Sequence, residues 1–167
     1  GQYHLSRSKS LYKSKQYGLC LIEAETAARL SPDDLKVQEI LVGLHSMFLR
    51  LDMAEQSVEK FIDYAKTNNK LKSRGYQELA DIEVLRGHLK KAKELYEKAK
   101  GLGDPNGIAK ASLEEFSEQV DSTERQPLNP NVLFINPINA LNRKGEIFAH
   151  FGMYQRAMGI YSMVLRM

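Results

Sequence analysis

Tryptophan is absent from the chain, cysteine occurs once and proline only five times in 167 residues. The lone thiol, Cys20, excludes an intrachain disulfide, so the fold must rest on burial of apolar surface. No stretch of roughly 18 apolar residues is present, which excludes a membrane-crossing helix. No secretory leader pattern is visible. A cytoplasmic setting fits, and a periplasmic one stays open. The formal net charge of +3 is too small for a general nucleic-acid argument, and aromatic and basic residues do not alternate as base-stacking surfaces require. Histidines 4, 45, 88 and 150 are scattered, never four apart and never beside Cys20, so no metal site is expected. The glycine-rich "GLGDPNG", 101–107, lacks the preceding strand and following lysine of a phosphate loop. No catalytic constellation and no cofactor motif emerges, and the expectation is a non-enzyme.

What is present is a recurring pattern. In "RGHLKKAKELYEKA", 86–99, a glycine is followed by alanine, tyrosine and alanine on one helical face: Gly87, Ala92, Tyr96 and Ala99. The C-terminal "FGMYQRAMGIYSMVL" repeats it with Gly152, Ala157, Tyr161 and Val164. Small residues that begin such faces stand at Cys20, Ser57, Ala92 and Ala157, separated by 37, 35 and 65 residues. A second stripe precedes each one: His4, Ser8 and Leu11; Leu41, Leu44 and Phe48; Tyr76, Leu79, Ala80 and Val84; Leu141, Gly145 and Phe148. Each unit therefore reads as two antiparallel helices brought close by small residues. Gly87 and Gly152 are expected to take positive φ at the turn, with Lys15 and Asp52 standing at that place in the first two units. In the second unit Gly43 and Ser46 compete for the small-residue slot.

Punctuation agrees. "SPDD", 31–34, supplies a helix breaker and an N-cap at Asp33 or Asp34, and "NPIN", 136–139, places Asn136 as cap with Pro137 in the first turn. Residues 106–121 read as one helix. Residues 122–135 have no helical period, and their apolar "VLFI" is expected to pack within the molecule.

These residues resemble the tetratricopeptide repeat, or TPR, a 34-residue helix–turn–helix unit. Ala80, Gly87, Ala92, Tyr96 and Ala99 carry the likeness, as do Gly145, Gly152, Tyr154, Ala157 and Tyr161, and Tyr17, Ala27 and Pro32. The fold implied is all-α: an α-α superhelix of four to five stacked helix pairs forming a single domain over 1–167. Its units fall at about 1–34, 35–70 and 72–105, with a degenerate one at 106–137 and a last one at 138–167. More loosely, "LNRKG", 141–145, is similar to TPR regions of bacterial response regulators and pilus-assembly lipoproteins.

The resemblance implies a scaffold whose concave groove, lined by the first helix of each unit, binds a peptide or protein segment. That groove would carry Leu5, Lys9, Tyr12 and Lys13, then Val42, Ser46, Leu49 and Arg50, then Gln77, Asp81 and Val84, and finally Asn142 and Glu146. The lysine-and-asparagine set with which one TPR subclass grips a chaperone's terminal carboxylate is not matched at Leu5 and Lys9. Lys9, Lys13 and Arg50 call for a partner of acidic character. The second expectation is self-association as a homodimer through the last helix, where Ile160, Met163 and Val164 want cover and Met153 and Met158 add apolar surface. A third is a regulatory or recruiting region of a larger signalling or assembly protein.

Overall fold

Helical periodicity extends through nearly all of the described chain, and helix is what it builds. The computed structural model describes residues 2–116 and 133–167. Among them are nine helices and no strand: α1 (Gln2–Lys13), α2 (Tyr17–Leu30), α3 (Leu35–Met47), α4 (Leu51–Ala65), α5 (Asn69–Leu85), α6 (Leu89–Gly101), α7 (Ile108–Phe116), α8 (Pro137–His150) and α9 (Tyr154–Leu165). Among the described residues no helix is long and apolar enough to cross a membrane. The helices pack as hairpins, α1 on α2, α3 on α4, α5 on α6 and α8 on α9, and successive hairpins stack.

The four hairpins share one turn. In each, the fifth residue before the small anchor has positive φ: +62° at Lys15, +54° at Leu49, +81° at Gly87 and +85° at Gly152. The next amide reaches back five residues, from Gln16 to Leu11 (2.9 Å), Arg50 to His45 (2.9 Å), His88 to Glu83 (2.8 Å) and Met153 to Phe148 (2.8 Å). This is a Schellman closure, which satisfies the carbonyls a helix end leaves free. It corrects the second unit. The turn residue there is Leu49, not Asp52, and the anchor five residues on is Ala54, fully buried, not Ser57. Cys20 and Ala54 then lie 34 residues apart, and Ala92 follows after 38.

The hairpin contact falls twelve residues before each anchor, at Ser8, Val42, Ala80 and Gly145. Val42, not Gly43 or Ser46, fills the second slot and is buried. At the first slot the Ser8 hydroxyl donates to the Cys20 carbonyl (3.0 Å) and the Cys20 thiol to the Ser8 carbonyl (3.2 Å). At the last, a Cβ on Gly145 would stand 2.6 Å from the Tyr161 ring, so only glycine fits.

Caps follow the sequence. Asp34 accepts from the Lys36 amide (2.9 Å) and Asn136 from the Ile138 amide (2.8 Å), while Asp33 instead takes the Tyr64 hydroxyl (2.8 Å). Asp104, inside the breaker, caps α7 through the Ala109 and Lys110 amides (3.0 and 2.9 Å).

The odd segment changes the stack. α7 packs against α6 on one side and α9 on the other, while α8 packs directly on α5 and touches α3. An extra helix wedged between the second helices, with none of the described helices between the first helices, fans the outer side and tightens the inner curve. The last hairpin is thereby turned toward the first. Of the expected helix over 106–121, residues 108–116 are helical, 106 and 107 belong to the preceding turn, and 117–121 lie outside the described residues, as does most of 122–135. In "VLFI", Phe134 packs on the core, whereas Leu133 and Ile135 are exposed.

Candidate functional site

The tight inner curve holds a half-open cavity of about 600 Å³ on the concave side. α1 contributes Ser8, Lys9, Tyr12 and Lys13, which lie on the same side of the helix as Leu5, itself buried in the core. α3 contributes Glu39, Ile40, Gly43, Leu44, Ser46 and Met47. Glu78 of α5, Leu141 and Lys144 of α8, Met163 of α9 and Cys20 of α2 complete the wall. Residues of the first and last helices thus face one space.

The wall is largely apolar, with charge in defined places. Lys9, Tyr12 and Lys13 are exposed, and Lys144 is half-buried. Glu39 is held by Arg74 at 3.1 Å. Glu78 receives the Ser46 hydroxyl at 3.5 Å. Burial pushes the Glu78 carboxyl above its ordinary value, and the Lys144 ammonium, the charge that opposes this most, only partly offsets it. Burial likewise raises the Cys20 thiol, with Ser8 pulling the other way. A protonated, hydrogen-bonded thiol in a helix contact is a poor nucleophile. Among the described residues no cluster of histidine, cysteine or carboxylate could hold a metal ion.

Of the thirteen groove residues expected from sequence, Lys9, Tyr12, Lys13 and Ser46 meet in this wall. Leu5, Leu49 and Val84 are buried in the core, and Val42 is buried beside a lesser hollow. Leu49 and Arg50 belong to a turn, not to a helix face, and the Arg50 guanidinium lies 5.8 Å from the Phe48 ring. Asn142 is half-buried, and Glu146 is bonded to Arg143 at 3.1 Å. The second unit's four positions were displaced by three residues, the same slip that put Ser57 in place of Ala54. Moved back by three, Val42, Ser46, Leu49 and Arg50 become Glu39, Gly43, Ser46 and Met47, and all four line the cavity.

Gln77 and Asp81 serve a different purpose. Asp81 is buried and takes both guanidinium nitrogens of Arg156, at 2.8 and 2.5 Å. The Tyr96 hydroxyl and the Gln77 amide (2.8 Å) also donate to it. The guanidinium donates to Ser112 at 2.9 Å and stacks 4.9 Å from the Phe148 ring centre. Glu115 caps the start of α9 through the Gln155 amide (2.7 Å). One network therefore ties α5, α6, α7 and α9 together. Arg156 carried no signal in the sequence, because its partner lies 75 residues away. The buried polar pair that fixes the last hairpin is what gives the cavity its far wall.

No protein-family model matches the chain, and no curated protein matches it either.

Proposed function

We propose that the chain is a non-catalytic interaction scaffold of the tetratricopeptide kind, which holds a peptide or protein segment across the mouth of its concave side. The observation that carries this is the recurrence of corresponding first-helix positions along one concave wall, the surface that stacked helix pairs leave free. Lys9, Lys13 and the exposed ring of Tyr12 stand at that mouth and favour an acidic segment bearing an aromatic or aliphatic side chain. Replacing Lys9 by Glu and Tyr12 by Ala together tests it. Captured partners identified by mass spectrometry should be lost while the helical circular dichroism is unchanged; equal capture by the double variant ends the reading.

A second reading is self-association through α9. Of the residues expected there, Ile160 and Met153 are buried, whereas Met158 and Met163 are exposed. Tyr154 and Leu165 add to that exposed apolar surface, 63% and 87% accessible. Light scattering of the wild type and of Met158→Glu over a range of concentrations checks it: a strict monomer in both dismisses the dimer.

A further inference from the structure

The cavity is shaped for something smaller than a protein. Its volume of about 600 Å³ lies in the range of roughly 300–1,000 Å³ in which small-molecule sites fall. It is a half-open hollow between helices, and a sphere of that volume is only about 10 Å across, roughly three extended residues at ~3.3 Å each. A peptide backbone inside would need a donor or acceptor for every amide and carbonyl. The wall offers few. The Ser8 hydroxyl and Cys20 thiol already serve each other's helices, Ser46 is turned to Glu78, and Glu39 is held by Arg74.

Gly43 is a second observation. It sits within α3, where glycine costs about 1 kcal/mol relative to alanine. Its φ is not positive and no neighbour forbids a side chain: a Cβ built there meets nothing within 4 Å. Unlike Gly145, it answers no packing need. The space it leaves open is the cavity itself.

From these the geometry points to a binding site for a small amphiphilic acid, one anionic head on an apolar body. The head sits toward Lys9 and Lys13 with Lys144 beside it, and the body lies along Ile40, Leu44 and Met163. Three lysines in the wall outnumber two glutamates, and Arg74 bonds one of those. This site stands on the cavity alone and holds whether or not a protein segment crosses its mouth.

Isothermal titration calorimetry with decanoate tests it, with decanol and decylamine of equal length as controls. The expected result is one decanoate per chain, with decanol bound at least tenfold more weakly and decylamine more weakly still. Gly43→Leu, which fills the space, should abolish binding while leaving thermal unfolding cooperative. The exposed pair Lys9→Gln/Lys13→Gln should weaken decanoate at least fivefold without weakening decanol, and it decides the matter should the leucine variant not fold. Absence of decanoate binding, equal affinity for decanol, or affinity unaltered in a folded Gly43→Leu protein or in the lysine pair overturns the proposal.

Discussion

Arg156 grips Asp81 through both guanidinium nitrogens, at 2.8 and 2.5 Å, across 75 residues of chain. The side chains are 12% and 3% accessible. Burial alone would raise the Asp81 pKa, but the guanidinium outweighs it and holds the carboxyl below its ordinary value. For a buried pair, attraction must first offset desolvation, so the pair's net worth is small while the cost of breaking it is large. Arg156→Ala should therefore lower unfolding free energy by about 3–5 kcal/mol. The double change Asp81→Leu/Arg156→Met should recover most of that loss. Urea titrations of the three proteins give the comparison, and a double variant no better than the single one would deny the network its role.

Gly43 of α3 and Gly145 of α8 should respond oppositely to alanine. Gly145→Ala pushes a methyl to 2.6 Å from the Tyr161 ring and is expected to cost about 1–3 kcal/mol. Tyr161→Leu in the same background should return part of it. Gly43→Ala meets open space inside a helix and should stabilise by about 0.5–1 kcal/mol. Differential scanning calorimetry separates these signs directly.

The repeat was legible because helix-pair packing writes small residues at fixed spacing. Cys20, Ala92 and Ala157 are 1%, 0% and 3% exposed as that spacing requires. The second unit misled because its turn uses a leucine where glycine is usual, and its contact slot holds valine. With neither landmark small, Ser57 looked like the anchor and the face shifted by three residues. Of the fifteen residues in the cavity wall, Lys9, Tyr12, Lys13 and Ser46 were readable, and the α3 positions around Ser46 were lost to the three-residue slip. Leu141, Lys144 and Met163 come from α8 and α9, whose approach depends on where α7 wedges in, and no local pattern encodes that. Asp81 was read as groove because its helix position is right. Only the distant Arg156 draws it inward.

Two of the four hairpin turns carry positive φ without glycine, and their burial predicts different outcomes. Lys15 is exposed with φ +62°, and Lys15→Gly should relieve left-handed strain and stabilise by up to about 1 kcal/mol. Leu49 has φ +54° but only 4% of its surface is accessible. Burying a leucine is worth about 1.5–3 kcal/mol, more than the strain it bears, so Leu49→Gly should destabilise. Chemical denaturation of both variants reads the two signs in one assay.

Glu78 and Asp81 lie one turn apart on α5, yet they should tilt the pH dependence of stability in opposite directions. Burial raises the Glu78 pKa from its ordinary 4.5, so the folded protein holds that proton more tightly than the unfolded chain. Its stabilising contribution is complete below 4.5 and fades as pH climbs through the raised folded value. Asp81 is the reverse: Arg156 keeps it ionised, so its contribution is present above its ordinary 3.8 and disappears as pH falls through the depressed folded value. Lys144, Arg74, Asp81 and Arg156 all act on Glu78, and removing its charge should relieve a cost borne at neutral pH alone. Glu78→Gln is thus expected to be more stable than the wild type at pH 7 and equal to it near pH 4, measured by urea midpoints across that interval. A variant less stable than the wild type at pH 7 would mean that the ionised carboxylate, with the Ser46 hydroxyl on it, supports the cavity wall instead of straining it.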